Sequence, residues 1–150
     1  MSGPGPENAR QAPLRWPPAR AGDGLRALAF YVWAALTGAV FSALLVLSAP
    51  LPHRWRYAVG TRWTRLNLAF LRGVCGLRWQ VEGLENIPPG PAVILSKHQS
   101  AWETMALQTM FPRQVWVLKR ELLWIPLIGW GLACLNPIAI DRRAGFRAIK

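Results

Sequence analysis

The most constraining feature of this sequence is an uncharged segment of 23 residues that runs from Ala27 to Ala49. A helix rises about 1.5 Å per residue, so this segment is long enough to cross a hydrocarbon core of about 30 Å. Pro50 and Pro52 follow at once and predict its end. A cleaved signal peptide usually has a shorter apolar region, of about 7–15 residues. We therefore expect a helix that enters a membrane, with a buried helix of a soluble protein as the alternative.

The composition of the chain favours a membrane surface as its partner. Of the 150 residues, 52% are hydrophobic and 17% are charged, yet the formal net charge is +11. An apolar and basic chain suits anionic lipids better than nucleic acid, and its nine tryptophans are typical of the membrane interface. In residues 1–24, five prolines and four glycines predict a disordered basic N-terminus.

The charges around the apolar segment leave its orientation open. Four arginines lie on each side of it: Arg10, Arg15, Arg20 and Arg26 before it, and Arg54, Arg56, Arg62 and Arg65 after it. The positive-inside rule places the side that is richer in lysine and arginine in the cytoplasm, and here the two sides are equal. The helix either spans the membrane or enters and returns, so that both of its ends face the cytoplasm.

A second helix is predicted directly after the first. Between His53 and Gln80 there are six arginines and no acidic residue. At helical spacing one stripe is apolar, and it contains Val59, Trp63, Leu66, Phe70 and Val74. Arginines cluster opposite this stripe, as in a basic amphipathic helix that lies on a bilayer. We therefore predict a membrane helix plus an amphipathic interfacial helix over residues 25–75; the alternative is that the stripe packs in the protein core.

The hydrophobic period changes after Gly76 and indicates a sheet. Apolar and polar residues alternate over 77–82, and a more apolar run follows at 92–96. Further strands are predicted at 115–118 and 138–140. Helices are predicted at 104–111 and within 121–135, the second starting around Pro126. Strands that alternate with helices are typical of an α/β architecture. The predicted fold class is therefore α/β, with N-terminal membrane-associated helices followed by a partial α/β sheet domain in residues 76–150.

The segment from Lys97 to Glu103 holds the strongest candidates for catalysis. His98 lies at the exit of the predicted strand 92–96, where open α/β sheets bind their ligands. An imidazole titrates near neutral pH and can accept a proton from a hydroxyl group. Glu103 can hydrogen-bond to the other ring nitrogen and stabilise the imidazolium. Alternatively, Ser100 and Glu103 form a capping box, and Glu103 serves only the helix that follows.

The sequence predicts neither a metal site nor a disulfide. His53 and His98 are the only histidines, and neither has a partner at a spacing typical of metal ligands. Cys75 and Cys134 lie far apart in apolar surroundings. We interpret them as reduced thiols that pack like small apolar residues, rather than as a disulfide.

Three blocks of this sequence resemble the glycerolipid acyltransferase superfamily in their order and spacing. Residues 97–103, KHQSAWE, are similar to the family's first motif, in which histidine is followed after four residues by aspartate. Residues 119–131, KRELLWIPLIGWG, resemble the second block, and residues 136–142, NPIAIDR, resemble the strand ending in arginine that comes next. The resemblance covers residues 77–146 and is best to the 1-acylglycerol-3-phosphate acyltransferases of the bacterial type.

The sequence departs from the family pattern in two places. Glu103 stands where the family usually has aspartate, which is one methylene shorter. The family's later Phe-Pro-Glu-Gly-Thr-Arg block, implicated in holding the substrate phosphate, does not occur before the last residue, Lys150. We therefore expect residues 76–150 to be the N-terminal part of the acyltransferase domain, truncated at its C-terminus.

The resemblance implies transfer of an acyl group from acyl-CoA or acyl-carrier protein, as co-substrate, to the hydroxyl of lysophosphatidic acid. The product would be phosphatidic acid, in phospholipid biosynthesis. His98 would be the general base, and Glu103 would orient it. Lys119, Arg120 and Arg142 are cations in the blocks that the resemblance links to acceptor binding, and they would bind the acceptor phosphate. No cofactor is implied, and the expected location is the bacterial inner membrane, with the catalytic domain facing the cytoplasm.

Three other functions stay open at this point. Another member of the superfamily would acylate glycerol 3-phosphate or a different lysolipid. A non-catalytic membrane-surface protein would need the apolar segment and the arginine-rich helix, but not His98 and Glu103. A nucleic-acid binder is the weakest alternative, because its arginines should interleave with base-stacking aromatic residues rather than flank an apolar segment of membrane length.

Overall fold

The computed structural model describes residues 20–141. Its elements are, in order, the helices α1 (Asp23–Leu47), α2 (His53–Gly73) and α3 (Ala101–Met110), strand β1 (Val117–Lys119), helix α4 (Ile128–Ala133) and strand β2 (Ile138–Ile140). Two short 3₁₀ helices cover Leu84–Asn86 and Arg120–Trp124. The predicted disorder of residues 1–24 falls mostly outside the described residues, but α1 already includes Asp23 and Gly24.

Helix α1 contains most of the uncharged segment. Among residues 20–141 it is the one helix long and apolar enough to cross a membrane, with a mean hydropathy of 2.0 over 18 residues. The Asp23 carboxylate accepts a hydrogen bond of 2.7 Å from the backbone N–H of Arg20, and a negative charge at this end stabilises the helix. Most of α1 is not covered by protein, and its exposed large side chains are Leu25, Leu28, Tyr31, Val32, Leu36, Val40, Leu44, Val46 and Leu47.

Helices α1 and α2 form an antiparallel hairpin with its turn at residues 48–52. Midway along the hairpin, the indole N–H of Trp63 donates a hydrogen bond of 3.2 Å to the hydroxyl of Thr37. Further from the turn, the rings of Trp33 and Phe70 stack with their centroids 5.2 Å apart. These contacts pair an early residue of α1 with a late residue of α2, so the two helices lie alongside each other over most of their length.

The hairpin corrects the interpretation of the apolar stripe on α2. Trp63 and Phe70 were predicted to face the bilayer, but both pack against α1, because burying an aromatic ring on a neighbouring helix removes a large apolar area from water. Leu66 and Val74 of the same stripe remain exposed. The exposed face of α2 is basic, and it includes Arg54, Arg62, Arg65 and Arg72.

Helix α3 packs across the middle of α2 and runs antiparallel to it. Met105 forms the main buried cluster with Leu68 and Leu71 of α2. One turn further along α3, Oε1 of Gln108 lies 3.1 Å from the hydroxyl of the fully buried Thr64. This packing places the beginning of α3, and the loop before it, beside the C-terminal end of α2.

The two strands form a small parallel sheet. Val117 lies opposite Ile138 and Lys119 lies opposite Ile140. The crossover between the strands contains the 3₁₀ helix Arg120–Trp124 and α4, as parallel pairing requires. Both strands end at the same edge of the sheet, so the residues that follow Lys119 and Ile140 come close together.

The α/β prediction is confirmed in this coarse form, with two of the four predicted strands. Residues 77–82 and 92–96 have no regular secondary structure and pair with no strand among the described residues, so the prediction of strands there is wrong for this structure. A strand is stabilised by a hydrogen-bonded neighbour and by cover over its apolar face. Residues 77–82 lack the hydrogen-bonded neighbour, although Trp79 packs against the buried cluster. Residues 92–96 lack both, and Val93 and Leu95 are 87% and 93% exposed.

The helix predicted within residues 121–135, starting around Pro126, is confirmed in a shorter form. Only Ile128–Ala133 is α-helical, and residues 120–124 form a 3₁₀ helix instead. Pro126 interrupts helical hydrogen bonding, and Leu127 adopts a left-handed φ of 64°. The helix predicted at 104–111 is confirmed as α3 with an earlier start, and Cys75 and Cys134 are free thiols, as predicted.

Candidate active site

The loop before α3 carries His98, and a tight cap fixes its end. Ser100 has an extended backbone and is the N-cap of α3, and its hydroxyl accepts a hydrogen bond of 3.2 Å from the N–H of Trp102. A serine at this position satisfies one of the N–H groups that the first turn of a helix leaves unpaired. The loop residues next to it are therefore held in a defined place relative to the first turn of α3.

The Glu103 carboxylate folds back over this cap. Its Oε2 accepts hydrogen bonds from the N–H of Ser100 at 2.8 Å and from the Ser100 hydroxyl at 2.9 Å. Its Oε1 accepts a further bond of 3.1 Å from the N–H of Gln99. These bonds complete a capping box, so the structural role considered for Glu103 is confirmed.

The same bonds keep Glu103 ionised. Burial acts to raise the pKa of this carboxyl, but hydrogen bonds from the Ser100 hydroxyl and from neighbouring backbone N–H groups outweigh it. They hold the pKa of Glu103 below its ordinary value of 4.5. Glu103 is therefore a fixed negative charge at neutral pH.

His98 lies beside this charge. Its Nδ1 is 3.8 Å from Oε2 of Glu103, which is within reach of an ion pair but too long for a hydrogen bond. The His98 side chain is 70% exposed, whereas that of Glu103 is 18% exposed. The two roles considered for Glu103 thus do not exclude each other, because the capping carboxylate is also placed to stabilise a protonated His98.

A cavity of about 310 Å³ adjoins the loop that carries His98. Its lining residues are Leu77, Arg78, Trp79, Ser100 and Trp102. Trp79 and Trp102 meet edge to face with their ring centroids 5.7 Å apart, and the lining is mostly apolar apart from Arg78 and Ser100. Such a cavity can take an apolar chain that carries an anionic group at one end.

Sequence reasoning gave no site role to Arg78 or Trp79. Both fall in the segment 77–82, where alternation predicted a strand. The sequence around them does not indicate a site role, because about twenty residues separate them from His98. Only the packing of α3 along α2 brings the two segments together.

The predicted phosphate-binding cations lie elsewhere. Lys119 is the last residue of β1, and Arg120 follows it at the carboxyl edge of the sheet. Arg120 lines a smaller groove of about 120 Å³ with Glu121, Trp124 and Asp141. Neither Lys119 nor Arg120 lines the cavity beside His98, so the described residues do not bring these two groups together.

Two further predictions concern what can be bound at these sites. Arg142 lies outside the described residues, so its predicted role as a phosphate ligand is not placed by the structure. Within residues 20–141, no group of three histidine, cysteine or acidic side chains is arranged to hold a metal ion.

Comparison with known proteins agrees with the three sequence blocks. A family model described as Acyltransferase matches residues 78–149. The 1-acyl-sn-glycerol-3-phosphate acyltransferase of Pseudomonas aeruginosa is 48% identical over 130 residues, which cover 85% of this chain and 51% of that protein. The alpha forms of the enzyme from Homo sapiens and Bos taurus are each 34% identical over 103 residues, 67% of this chain and 36% of theirs.

These alignments set the extent of the similarity. The chain spans about half the length of the Pseudomonas relative and about a third of the mammalian ones. No solved structure matches the chain. The family match covers the loop with His98 and Glu103, the sheet with Lys119 and Arg120, and Arg142. The chain belongs to the glycerolipid acyltransferase superfamily, and within it is similar to the 1-acylglycerol-3-phosphate acyltransferases of the bacterial type.

Proposed function

We propose that this chain forms part of an O-acyltransferase that converts lysophosphatidic acid to phosphatidic acid. The acyl donor is acyl-CoA or acyl-carrier protein. The observation that carries the proposal is the position of His98 next to Glu103, with 3.8 Å between Nδ1 and Oε2, in a chain that is similar to named enzymes of this activity. Reactivity of this kind needs a base at neutral pH and a charge that stabilises its protonated form.

His98 acts as the general base in the proposed reaction. It takes the proton from the acceptor hydroxyl as the hydroxyl oxygen attacks the thioester carbonyl. The carbon–sulfur bond then breaks, and the thiolate leaving group takes the proton from the imidazolium. The new ester is phosphatidic acid, and His98 returns to its neutral form. Glu103 does not touch the reacting atoms; it is a positioning residue that lowers the energy of the imidazolium.

Cations bind the acceptor phosphate in this proposal. Lys119, Arg120 and Arg142 belong to the matched blocks, and an arginine can bind a phosphate with two parallel hydrogen bonds. Arg120 shares its groove with Glu121, whose negative charge opposes an anionic ligand there. Arg78 has the advantage of lining the cavity beside the His98 loop, so we include it among the candidate phosphate ligands.

We also propose that α1 and α2 attach the protein to anionic lipids of the bacterial inner membrane. α1 has an apolar face that no described residue covers, and α2 exposes arginines. If α1 spanned the membrane, the antiparallel α2 would carry its arginines into the hydrocarbon, at about 2.5–3.5 kcal/mol for each one near the bilayer centre. This cost favours a hairpin that enters one leaflet, with both of its ends in the cytoplasm.

An acceptor panel tests the proposed activity. Membranes from cells that express the protein containing this chain are given a labelled acyl donor with lysophosphatidic acid, glycerol 3-phosphate or lysophosphatidylcholine. We expect labelled phosphatidic acid from the first acceptor. Loss of the general base in His98→Ala should lower the rate by about 10²–10⁴-fold without weakening acceptor binding.

The other outcomes identify the alternative functions. Transfer to glycerol 3-phosphate or to lysophosphatidylcholine alone would assign the chain to another activity of the superfamily. No transfer to any acceptor, with vesicle binding that is unchanged in His98→Ala, would indicate a non-catalytic membrane-surface protein. Binding to RNA in preference to anionic vesicles would overturn both assignments.

A further inference from the structure

We propose that the surface formed by Leu122, Trp124, Ile125 and Trp130, here called the tryptophan patch, contacts the lipid interface beside α1. This inference rests on the proposed attachment of α1 to a membrane. It adds a third lipid contact from within the sheet domain, at a shallower depth than the exposed face of α1. The crossover between β1 and β2 would then fix the sheet edge close to the membrane surface.

The composition of the crossover is that of a lipid-contacting segment. From Leu122 to Ile140 the sequence contains no charged residue. The segment does not fold into a helix that could span a bilayer, since α4 has only six residues. Part of the segment packs on α1, and Leu122, Trp124, Ile125 and Trp130 remain exposed.

The patch is exposed although it is apolar. The side chains of Trp124 and Trp130 are 73% and 58% exposed, and Leu122 and Ile125 beside them are also exposed. The 3₁₀ helix that carries Leu122 and Trp124 packs against α4, which carries Trp130, so the four residues belong to one part of the surface. Large apolar side chains that are exposed together usually mark an interaction site. Tryptophan is the residue best suited to the lipid interface, because its ring is apolar and its N–H remains hydrated.

Close packing ties the patch to α1. A Cβ atom on Gly131 would lie 2.9 Å from Cα of Ser42, so α4 and α1 approach backbone to backbone at this point. Ile128 lies against Gly38 one turn earlier on each helix. At the end of the segment, the carbonyl of Leu135 is 3.2 Å from Nε2 of His53. If α1 inserts into a membrane, α4 therefore also lies close to that membrane.

The positions around α1 define the expected depth. Gly38, Ser42 and Leu45 are the buried residues that face the protein. Leu36 and Val40 are exposed on the opposite side of the helix. If this exposed side is immersed in the acyl chains, α4 sits on the flank of α1 that is nearer to the water. Its tryptophans then reach the level of the headgroups rather than the bilayer centre.

Fluorescent labels at single cysteines test this depth. In protein whose two native cysteines are replaced by alanine, an environment-sensitive NBD label is placed in the variants V40C, W124C and V115C. Val115 is the control, since it is 54% exposed but lies outside the patch. Vesicles of phosphatidylcholine and phosphatidylglycerol carry a spin-label quencher either on the headgroup or deep in the acyl chain.

We expect loss of fluorescence at Val40 with the deep quencher, at Trp124 with the headgroup quencher, and at Val115 with neither. Quenching at Val40 but not at Trp124 would overturn this inference and leave the proposed membrane attachment intact. No quenching at either position would overturn both. A label at Trp124 that iodide in solution cannot reach, with or without vesicles, would show that protein rather than lipid covers the patch and would overturn the inference.

A second measurement checks the energetic contribution of the patch. Replacing both Trp124 and Trp130 by serine removes a large apolar area from the lipid contact and should weaken vesicle binding about tenfold or more. Val115→Ser is the matched control and should bind vesicles as the unmodified protein does. Unchanged binding of the double variant, with an unchanged melting temperature, would overturn the proposal.

Discussion

At the scale of single residues, the central finding is that one carboxylate performs a structural task and is available for a chemical one. Glu103 accepts three hydrogen bonds from Gln99 and Ser100 and lies 3.8 Å from Nδ1 of His98. The capping bonds fix the carboxylate on a rigid helix end. A group fixed in this way can stabilise a charge on His98 with little rearrangement during the reaction.

Substitutions of Glu103 separate these two tasks. Glu103→Gln keeps the capping box, which accepts either residue, but removes the charge that stabilises the imidazolium. We expect the protein to stay folded at neutral pH, with a slightly lower melting temperature because the charge is lost, while kcat falls. Glu103→Asp restores the usual residue of the family and should retain more of the rate than Gln does. Full turnover in Glu103→Gln would return Glu103 to a purely structural role.

The ionisation of Glu103 also predicts how stability depends on pH. Its pKa is lowered in the folded protein, so the folded state favours the carboxylate more than the unfolded chain does. The stabilisation is present above the ordinary pKa of 4.5 and is lost as the pH falls through the lower folded value. We expect the melting-temperature difference between the unmodified protein and Glu103→Gln to shrink over this acidic range. A difference that stayed constant down to the lower pKa would contradict the prediction.

At the scale of elements, the hairpin of α1 and α2 is the surface on which the other helices are assembled. α3 packs on α2 through Met105 and Gln108, and α4 packs on α1 through Gly131. The two contacts lie at different levels of the hairpin. α3 therefore carries the His98 loop towards the C-terminal end of α2, while α4 lies nearer to the turn.

The contact at Gly131 can be tested by adding a single methyl group. In Gly131→Ala the new Cβ would lie 2.9 Å from the backbone of Ser42, so the two helices must move apart. Overpacking of this kind typically costs about 1–3 kcal/mol in the free energy of unfolding. Gly24→Ala is the matched control, because it also lies in a helix but a Cβ there meets nothing within 4 Å. Equal stabilities of the two variants in thermal unfolding would argue against the close approach.

At the scale of the whole molecule, the charges of α2 limit how the protein can meet a membrane. Its arginines and the apolar face of α1 belong to one hairpin, so they must be accommodated together. A hairpin in one leaflet keeps the arginines at the headgroups and immerses the leucines. Such a protein should stay with membranes in high salt, because burial of apolar surface does not depend on screening of charges.

This arrangement predicts that the segment before α1 and the segment after α2 both lie in the cytoplasm. Single cysteines at Ser2 and at Glu82, in protein lacking Cys75 and Cys134, are treated with an impermeant maleimide in intact cells. We expect neither to react until the cells are opened. Reaction of Ser2→Cys alone in intact cells would indicate that α1 spans the membrane, and reaction of both would place the catalytic domain outside.

The sequence alone was sufficient for features that depend on neighbouring residues. The uncharged run predicted α1, the prolines predicted its end, and Ser100 with Glu103 predicted the cap of α3. The tertiary structure decided the features that depend on distant partners. The stripe on α2 packs against α1 through Trp63 and Phe70, and residues 92–96 have no strand beside them. Periodicity shows that a face is apolar but not what covers it, because the covering group comes from another part of the chain. For the same reason, Arg78 could be assigned to the candidate site only from the tertiary structure, in which the packing of α3 on α2 brings it close to the His98 loop.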